Sequence, residues 1–185
     1  MEQSTIRSNM WNEAAKYGLI FGAISTAYLY TGHLQAALGV SGSFGSVLGF
    51  ALWAAKFVGC IKLMQHVMRK FKGENPGADR SDIFKLGALI AALSALVYSI
   101  VTVADMLYIF PEYYRTVYGI VIEEYAKILP AHQMEDLKMM LAEAPKFSFI
   151  GNFIYCTIFG TVLSFILSRS YPPKYYSDIH KPDEQ

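Results

Sequence analysis

Lys56 is the residue hardest to reconcile with its surroundings, for it stands inside the apolar run Phe-Ala-Leu-Trp-Ala-Ala-Lys-Phe-Val-Gly-Cys at residues 50–60. It lies about six residues from the inner end of the second membrane run, which is about 9 Å at a rise of about 1.5 Å per residue. A charge at the centre of a membrane helix costs about 2.5 to 3.5 kcal/mol on insertion scales, so such a lysine either snorkels to the headgroups or serves an interior site. Gly45, Gly49, Lys56 and Gly59 fall near one stripe, which turns Lys56 toward a close-packed side. Asp105 is the acid of the apolar runs, and Ser94, Tyr98, Thr102 and Asp105 follow one another at steps of four, four and three. They form a polar stripe that either leads a wet cleft toward Lys56 or packs as ordinary hydroxyls between helices. Asp105 lies about 20 Å from Lys56 in depth, so no direct ion pair is expected. His33 and Asn152 fall at depths like that of Asp105, which suits either a polar cluster or a water-exposed interface.

Other chemistry finds little footing. Cys60 and Cys156 each sit in an apolar run, with no disulfide or zinc spacing, and are expected to pack structurally. His66 and His180 lie in basic segments, and His132 is close to Pro130. There is no His-x-x-x-His, Cys-x-x-Cys, Walker loop or nucleophile elbow, and adjacent Glu123 and Glu124 point in different directions on a helix. The chain is therefore expected to be no enzyme and to hold neither metal nor cofactor. A net charge of +1, from 16 basic and 15 acidic residues, argues against a nucleic-acid binder, and no nucleic-acid partner is expected.

The elements that position these residues follow from composition. Of 185 residues 54% are hydrophobic and 17% charged, which places the chain among membrane proteins. Four runs reach the roughly 20 residues needed to cross a bilayer, at about 17–38, 44–64, 83–110 and 147–168. They lack the period-two alternation of barrel strands and are expected to be helices. Ser41-Gly42-Ser43 marks a tight first connection, residues 73–77 a turn, and Pro145 and Pro172-Pro173 flank the last run. The Ala36-Ala37 pair is a poor cleavage site behind a long leader containing Glu13, so the first run is expected to be retained. Gly18 with Gly22, and Gly45 with Gly49, form two Gly-x-x-x-Gly pairs, expected to bring the first two spans together.

Orientation follows from the basic residues. Arg7, Lys16, Arg69, Lys70, Lys72, Arg80, Arg169, Lys174 and Lys181 fall on one side, and Arg115, Lys127, Lys138 and Lys146, diluted by six acids, on the other. Both termini are therefore expected in the cytoplasm. Trp11, Tyr17, Tyr171, Tyr175 and Tyr176 would mark the inner interface, and Tyr30, Tyr108, Phe110, Tyr113 and Tyr114 the outer one.

Residues 111–146 are too many for a bare loop. Tyr114, Val117, Tyr118, Val121, Ile122, Tyr125, Ile128 and Leu129 recur at helical spacing up to Pro130, and Met134, Leu137, Met140 and Leu141 line a second helix that Pro145 is expected to stop. This amphipathic hairpin would cover the bundle end, lie among headgroups, receive a partner or close over a cavity between the spans.

The Lys-Tyr-Gly-Leu-Ile-Phe-Gly start at residues 16–22, the Ser-Asp-Ile-Phe-Lys-Leu-Gly at 81–87, and the long acidic connection ending in Phe-Ile-Gly-Asn at 149–152 resemble an uncharacterised family of small bacterial inner-membrane proteins, domain-of-unknown-function family 4199. The resemblance covers about residues 16–169 and implies a four-span membrane protein; it carries no activity, cofactor or catalytic residue. The reading as a whole is an all-α integral membrane four-helix bundle, one domain over 1–185, in the inner membrane. Its expected role is that of a non-enzymatic accessory or interaction protein, as a homo-oligomer or a complex subunit through the outer hairpin. The alternative is a small-solute or ion transporter or binding protein that uses the polar stripe.

Overall fold

A computed structural model describes residues 2–40 and 42–171, with side chains from residue 5 onward. Ser41 of the first connection lies outside the described residues, as do Pro172, Pro173, Lys174, Tyr175, Tyr176, His180 and Lys181. The described chain is helical throughout: α1 (Glu2–Ala37), α2 (Gly42–Glu74), α3 (Arg80–Ala104) running into a π-helical turn (Asp105–Ile109), α4 (Pro111–Ala126), α5 (Ala131–Ala142) and α6 (Ala144–Ser168). Three helical stretches, Gly42–Glu74, Arg80–Ile109 and Ala144–Ser168, are long and apolar enough to cross a membrane. The first helix is long enough but more polar, because Thr26, Tyr28, Tyr30, Thr31, His33 and Gln35 interrupt its second half.

Helix α3 is the centre, with its most extensive contacts to α6 on one side and α1 on the other. Small residues make both approaches. A Cβ at Gly18 would lie 2.6 Å from Leu93 Cβ, and one at Gly22 would lie 2.7 Å from Val97 Cβ. Across the other seam, a Cβ at Gly160 would lie 2.5 Å from Ala91 Cβ, and one at Gly87 would collide with Ser164. The Ser164 hydroxyl donates to the Phe84 carbonyl at 3.0 Å, closing the same seam. The expectation that Gly18 and Gly22 face the glycines of the second span is thus corrected. Their open side receives α3, whereas Gly45 faces the Val40 carbonyl and Gly49 has only the Gln35 amide oxygen, 3.9 Å from an added Cβ.

The tightest packing lies at the end that carries the N-terminus and the α2–α3 connection. Met10, Ala14, Tyr17 and Phe21 of α1 pack there against Met64, Val67, Met68 and Phe71 of α2 and Ile83, Leu86 and Ile90 of α3. Steps of four, three and four put the α1 set on one stripe, so α1 begins at Glu2 rather than near residue 17, and its first turns are amphipathic. The Glu13 carboxylate and Lys70 approach to 3.4 Å, and the Asn9 amide donates to Asn75 at 3.0 Å. Asn75 is itself buried and donates back to the Phe71 carbonyl at 3.0 Å. Asp79 and Asp82 form a capping box that starts α3.

The first connection turns at Gly39, whose φ of +64° suits glycine, with Val40 N–H donating to Gln35 O at 3.0 Å and Gly39 N–H to Ala36 O at 3.1 Å. Pro145 does not end α5, which stops at Ala142; it sits in the first turn of α6, where its missing N–H costs no helical bond. Pro111 likewise opens α4.

Candidate intramembrane site

Toward the end that carries α4 and α5, α2 departs from its neighbours and leaves Phe44, Val47, Phe50 and Trp53 exposed. A cavity of about 200 Å³ lies where it separates, walled by all four long helices. Lys56 lines it together with Ser25 of α1 and Ser94 of α3, and so do Cys60 and Cys156, both free thiols. The Lys56 ammonium is 4.9 Å from the ring centre of Tyr28 and 5.9 Å from that of Tyr98. Such cation–π contacts offset part of the cost of holding a charge away from water. Among the described residues Lys56 has no ion-pair or hydrogen-bond partner. Ser164, at a depth like that of Lys56, belongs instead to the α3–α6 seam.

The stripe on α3 does not act as one unit. Tyr98 and Ser94 belong to the surroundings of Lys56. Thr102 turns its hydroxyl back onto the Tyr98 carbonyl at 2.9 Å, the ordinary satisfaction of a buried threonine in a helix. The hydroxyl of Ser99, also fully buried, has no hydrogen-bond partner among the described residues, and neither do those of Thr26 and Thr157.

Asp105 opens a second cluster. It is completely buried, and its Oδ2 lies 2.8 Å from His33 Nε2 and accepts the Tyr114 hydroxyl at 2.7 Å. Asp105 Oδ1 has no hydrogen-bond partner among the described residues. The cluster joins α1, the π-turn and α4. His33 stacks on Phe110 with ring centres 4.6 Å apart and meets the edge of Tyr113 at 4.7 Å. The π-turn makes this possible: the Phe110 N–H reaches back five residues to the Asp105 carbonyl at 2.9 Å, one residue further than an α-helical bond. Asp105 therefore pairs with His33, not with Lys56. Asn152, at similar depth, makes no hydrogen bond to the cluster. Tyr114 is the member that sequence reasoning missed, since it reads equally well as an interface aromatic. Burial, the hydrogen bond to Asp105 and the Asp105 charge together raise the Tyr114 hydroxyl pKa above its ordinary value.

A larger cleft, about 850 Å³, lies at the opposite end under the first turns of α1, lined in part by Arg7, Trp11, Asp82 and Lys85. Its charges are solvated, with Lys85 and Asp82 already paired at 3.4 Å, and it has the character of an interfacial groove. No three His, Cys, Asp or Glu side chains converge as metal ligands among the described residues.

The described chain is all-helical, and three of its helices, the central α3 with α2 and α6, are long and apolar enough to span a bilayer, which is the make-up of a membrane protein. The chain belongs to the family described as "Protein of unknown function (DUF4199)", which matches residues 16–169. No curated protein and no solved structure matches it.

Proposed function

We propose that the chain is a non-enzymatic accessory or interaction protein of the inner membrane, crossing it four times, with both termini cytoplasmic and the α4–α5 hairpin outside. The observation that carries the interaction role is the hairpin. No residue of α4 or α5 is fully buried within the chain, and Tyr114 and Tyr118 are only half-buried. Val117, Ile120, Tyr125, Ile128, Met139 and Met140 are exposed on it. Apolar side chains collected on a water-side element suit a protein partner or a second copy. Six acids against four bases make the hairpin unsuited to anionic lipid. α1 counts as a span in this reading because its polar second half faces α3 and α4 through His33 and Tyr30 rather than lipid.

Purification of the full chain in mild detergent, followed by mass spectrometry of the intact assembly, tests the role. A stoichiometric second component, or a defined oligomer, that disappears in Ile120→Arg and Met140→Arg supports the hairpin as the contact. A bare monomer in the wild type sinks it. A second reading, solute binding between the helices, draws its support from the cavity at Lys56. The broken stripe argues against a continuous path from Asp105.

A further inference from the structure

We propose that the cavity around Lys56 binds a lipid-borne monoanion with an apolar body, a long-chain carboxylate, whose head sits at the ammonium while its tail stays in the bilayer.

Charge identifies the head. Lys56 is the one charged side chain among those lining the cavity. Tyr28 and Tyr98 present ring faces to the ammonium, which hold a cation without neutralising it. An ammonium carries three donors and no acceptor, and none of the three has a partner among the described residues. A single negative charge with two oxygens supplies both the counter-charge and the acceptors. The hydroxyls of Ser25 and Ser94, on facing helices of the same cavity, are the further donors available to a carboxylate.

Size and access identify the body. At about 200 Å³ the cavity is smaller than a site for a drug-sized ligand, which takes roughly 300 to 1,000 Å³. A carboxylate and its first few carbons fit, whereas a phospholipid headgroup with its glycerol does not. The walls are otherwise apolar, with Phe21, Phe57, Ile90 and Leu163 among them. On the side between α2 and α6 the rim is Trp53, Phe159 and Tyr155, which are 45%, 45% and 68% exposed. These residues belong to helices fit to span the membrane, so the opening faces hydrocarbon and not water. α2 and α6 touch only sparsely, and Phe57 and Phe159 meet between them with ring centres 5.9 Å apart. A ligand reaching this ammonium arrives through lipid by displacing these rim side chains, and its tail leaves between them.

Trp53 on the rim reports occupancy, because brominated chains quench indole at close range. The full chain carrying Trp11→Phe, so that Trp53 is its one tryptophan, would be titrated in nanodiscs with dibromostearic acid and with its methyl ester. The acid is expected to quench saturably and more strongly than the ester. Lys56→Met is expected to weaken the acid by about tenfold or more, the usual effect of losing a charged hydrogen-bond partner, and to leave the ester unchanged. Equal quenching by acid and ester, or an acid titration untouched by Lys56→Met, overturns the proposal. So does displacement of the acid by chloride at millimolar concentration, which would make the site one for small inorganic anions. Should Lys56→Met fail to fold, alkylation of Cys60 and Cys156 by N-ethylmaleimide in the Lys56 protein decides. Protection by stearic acid and not by methyl stearate supports the site, and equal rates with either refute it.

Discussion

Asp105 shows how far single residues can be read. Its depth and that of His33 are legible from counting along two apolar runs, and their pairing at 2.8 Å follows once the two helices lie side by side. The third partner was not legible. Tyr114 reaches the carboxylate because the chain makes a π-turn between them, and the run Asp-Met-Leu-Tyr-Ile contains no proline or glycine to announce it. Since removing its partner leaves the Asp105 carboxylate buried and uncompensated, His33→Ala is expected to cost about 3 to 5 kcal/mol of thermal or denaturant stability in detergent. Tyr114→Phe removes one hydrogen bond to a charged group, and its expected cost is about 1 to 3 kcal/mol. Lys56 has no contact with the cluster, so Lys56→Met and Asp105→Asn should add to within about 0.5 kcal/mol; larger coupling would mean that the two sites communicate.

The pH dependence has a defined sign. The Tyr114 hydroxyl keeps its proton to higher pH when folded than when unfolded, where its ordinary value of 10.0 applies. Its contribution is therefore fully present below pH 10 and lost as pH rises through the higher folded value. Tyr118, raised by burial, acts in the same direction. Wild-type protein should lose stability more steeply above pH 10 than Tyr114→Phe does, as followed by circular dichroism melting. Parallel alkaline profiles would mean that the Tyr114 hydroxyl is not held as described.

At the level of helices, hydropathy located the three stretches fit to span a membrane, because length and apolarity are what a bilayer selects. It was silent on the first turns of α1, where the apolar residues occupy one stripe and the average is polar. It also misassigned the glycine contacts. Spacing reveals that a helix face can be approached closely, not which helix approaches it. Gly87 and Gly160, which make the α3–α6 seam, stand outside any Gly-x-x-x-Gly pair and so gave no signal. Substitution separates the seams. Gly22→Ala and Gly160→Ala force a new methyl into a neighbouring helix and are expected to cost about 1 to 3 kcal/mol, the range for overpacking. Gly49→Ala meets ordinary van der Waals space, so it should be neutral or gain up to about 1 kcal/mol from the better helix propensity of alanine. Melting of the three variants in one detergent distinguishes them, and a Gly49→Ala loss equal to that of Gly22→Ala would place α2 against α1 more tightly than here.

For the whole molecule, the division of labour between its two ends leads to the test of topology. The end bearing the N-terminus holds the packed core and the Glu13–Lys70 and Asn9–Asn75 ties. The other end holds the splayed α2, the cavity and α4, fastened near its start through Tyr114 and Asp105. In the proposed four-span topology the two ends lie on opposite membrane faces, and the basic residues distinguish the faces: Arg7, Lys16, Arg69, Lys70, Lys72 and Arg80 gather at the packed end, while the connection around Gly39 has none. Ser43, Glu74 and Glu124 are all exposed, so in a background lacking Cys60 and Cys156 a single cysteine at each can react without disturbing the core. In intact cells an impermeant maleimide should label Ser43→Cys and Glu124→Cys, whereas Glu74→Cys should need permeabilisation. Labelling of Glu74→Cys alone would invert the protein in the membrane. Labelling of Glu124→Cys and Glu74→Cys without Ser43→Cys would show that α2 does not cross, and that its exposed apolar face lies along the surface instead.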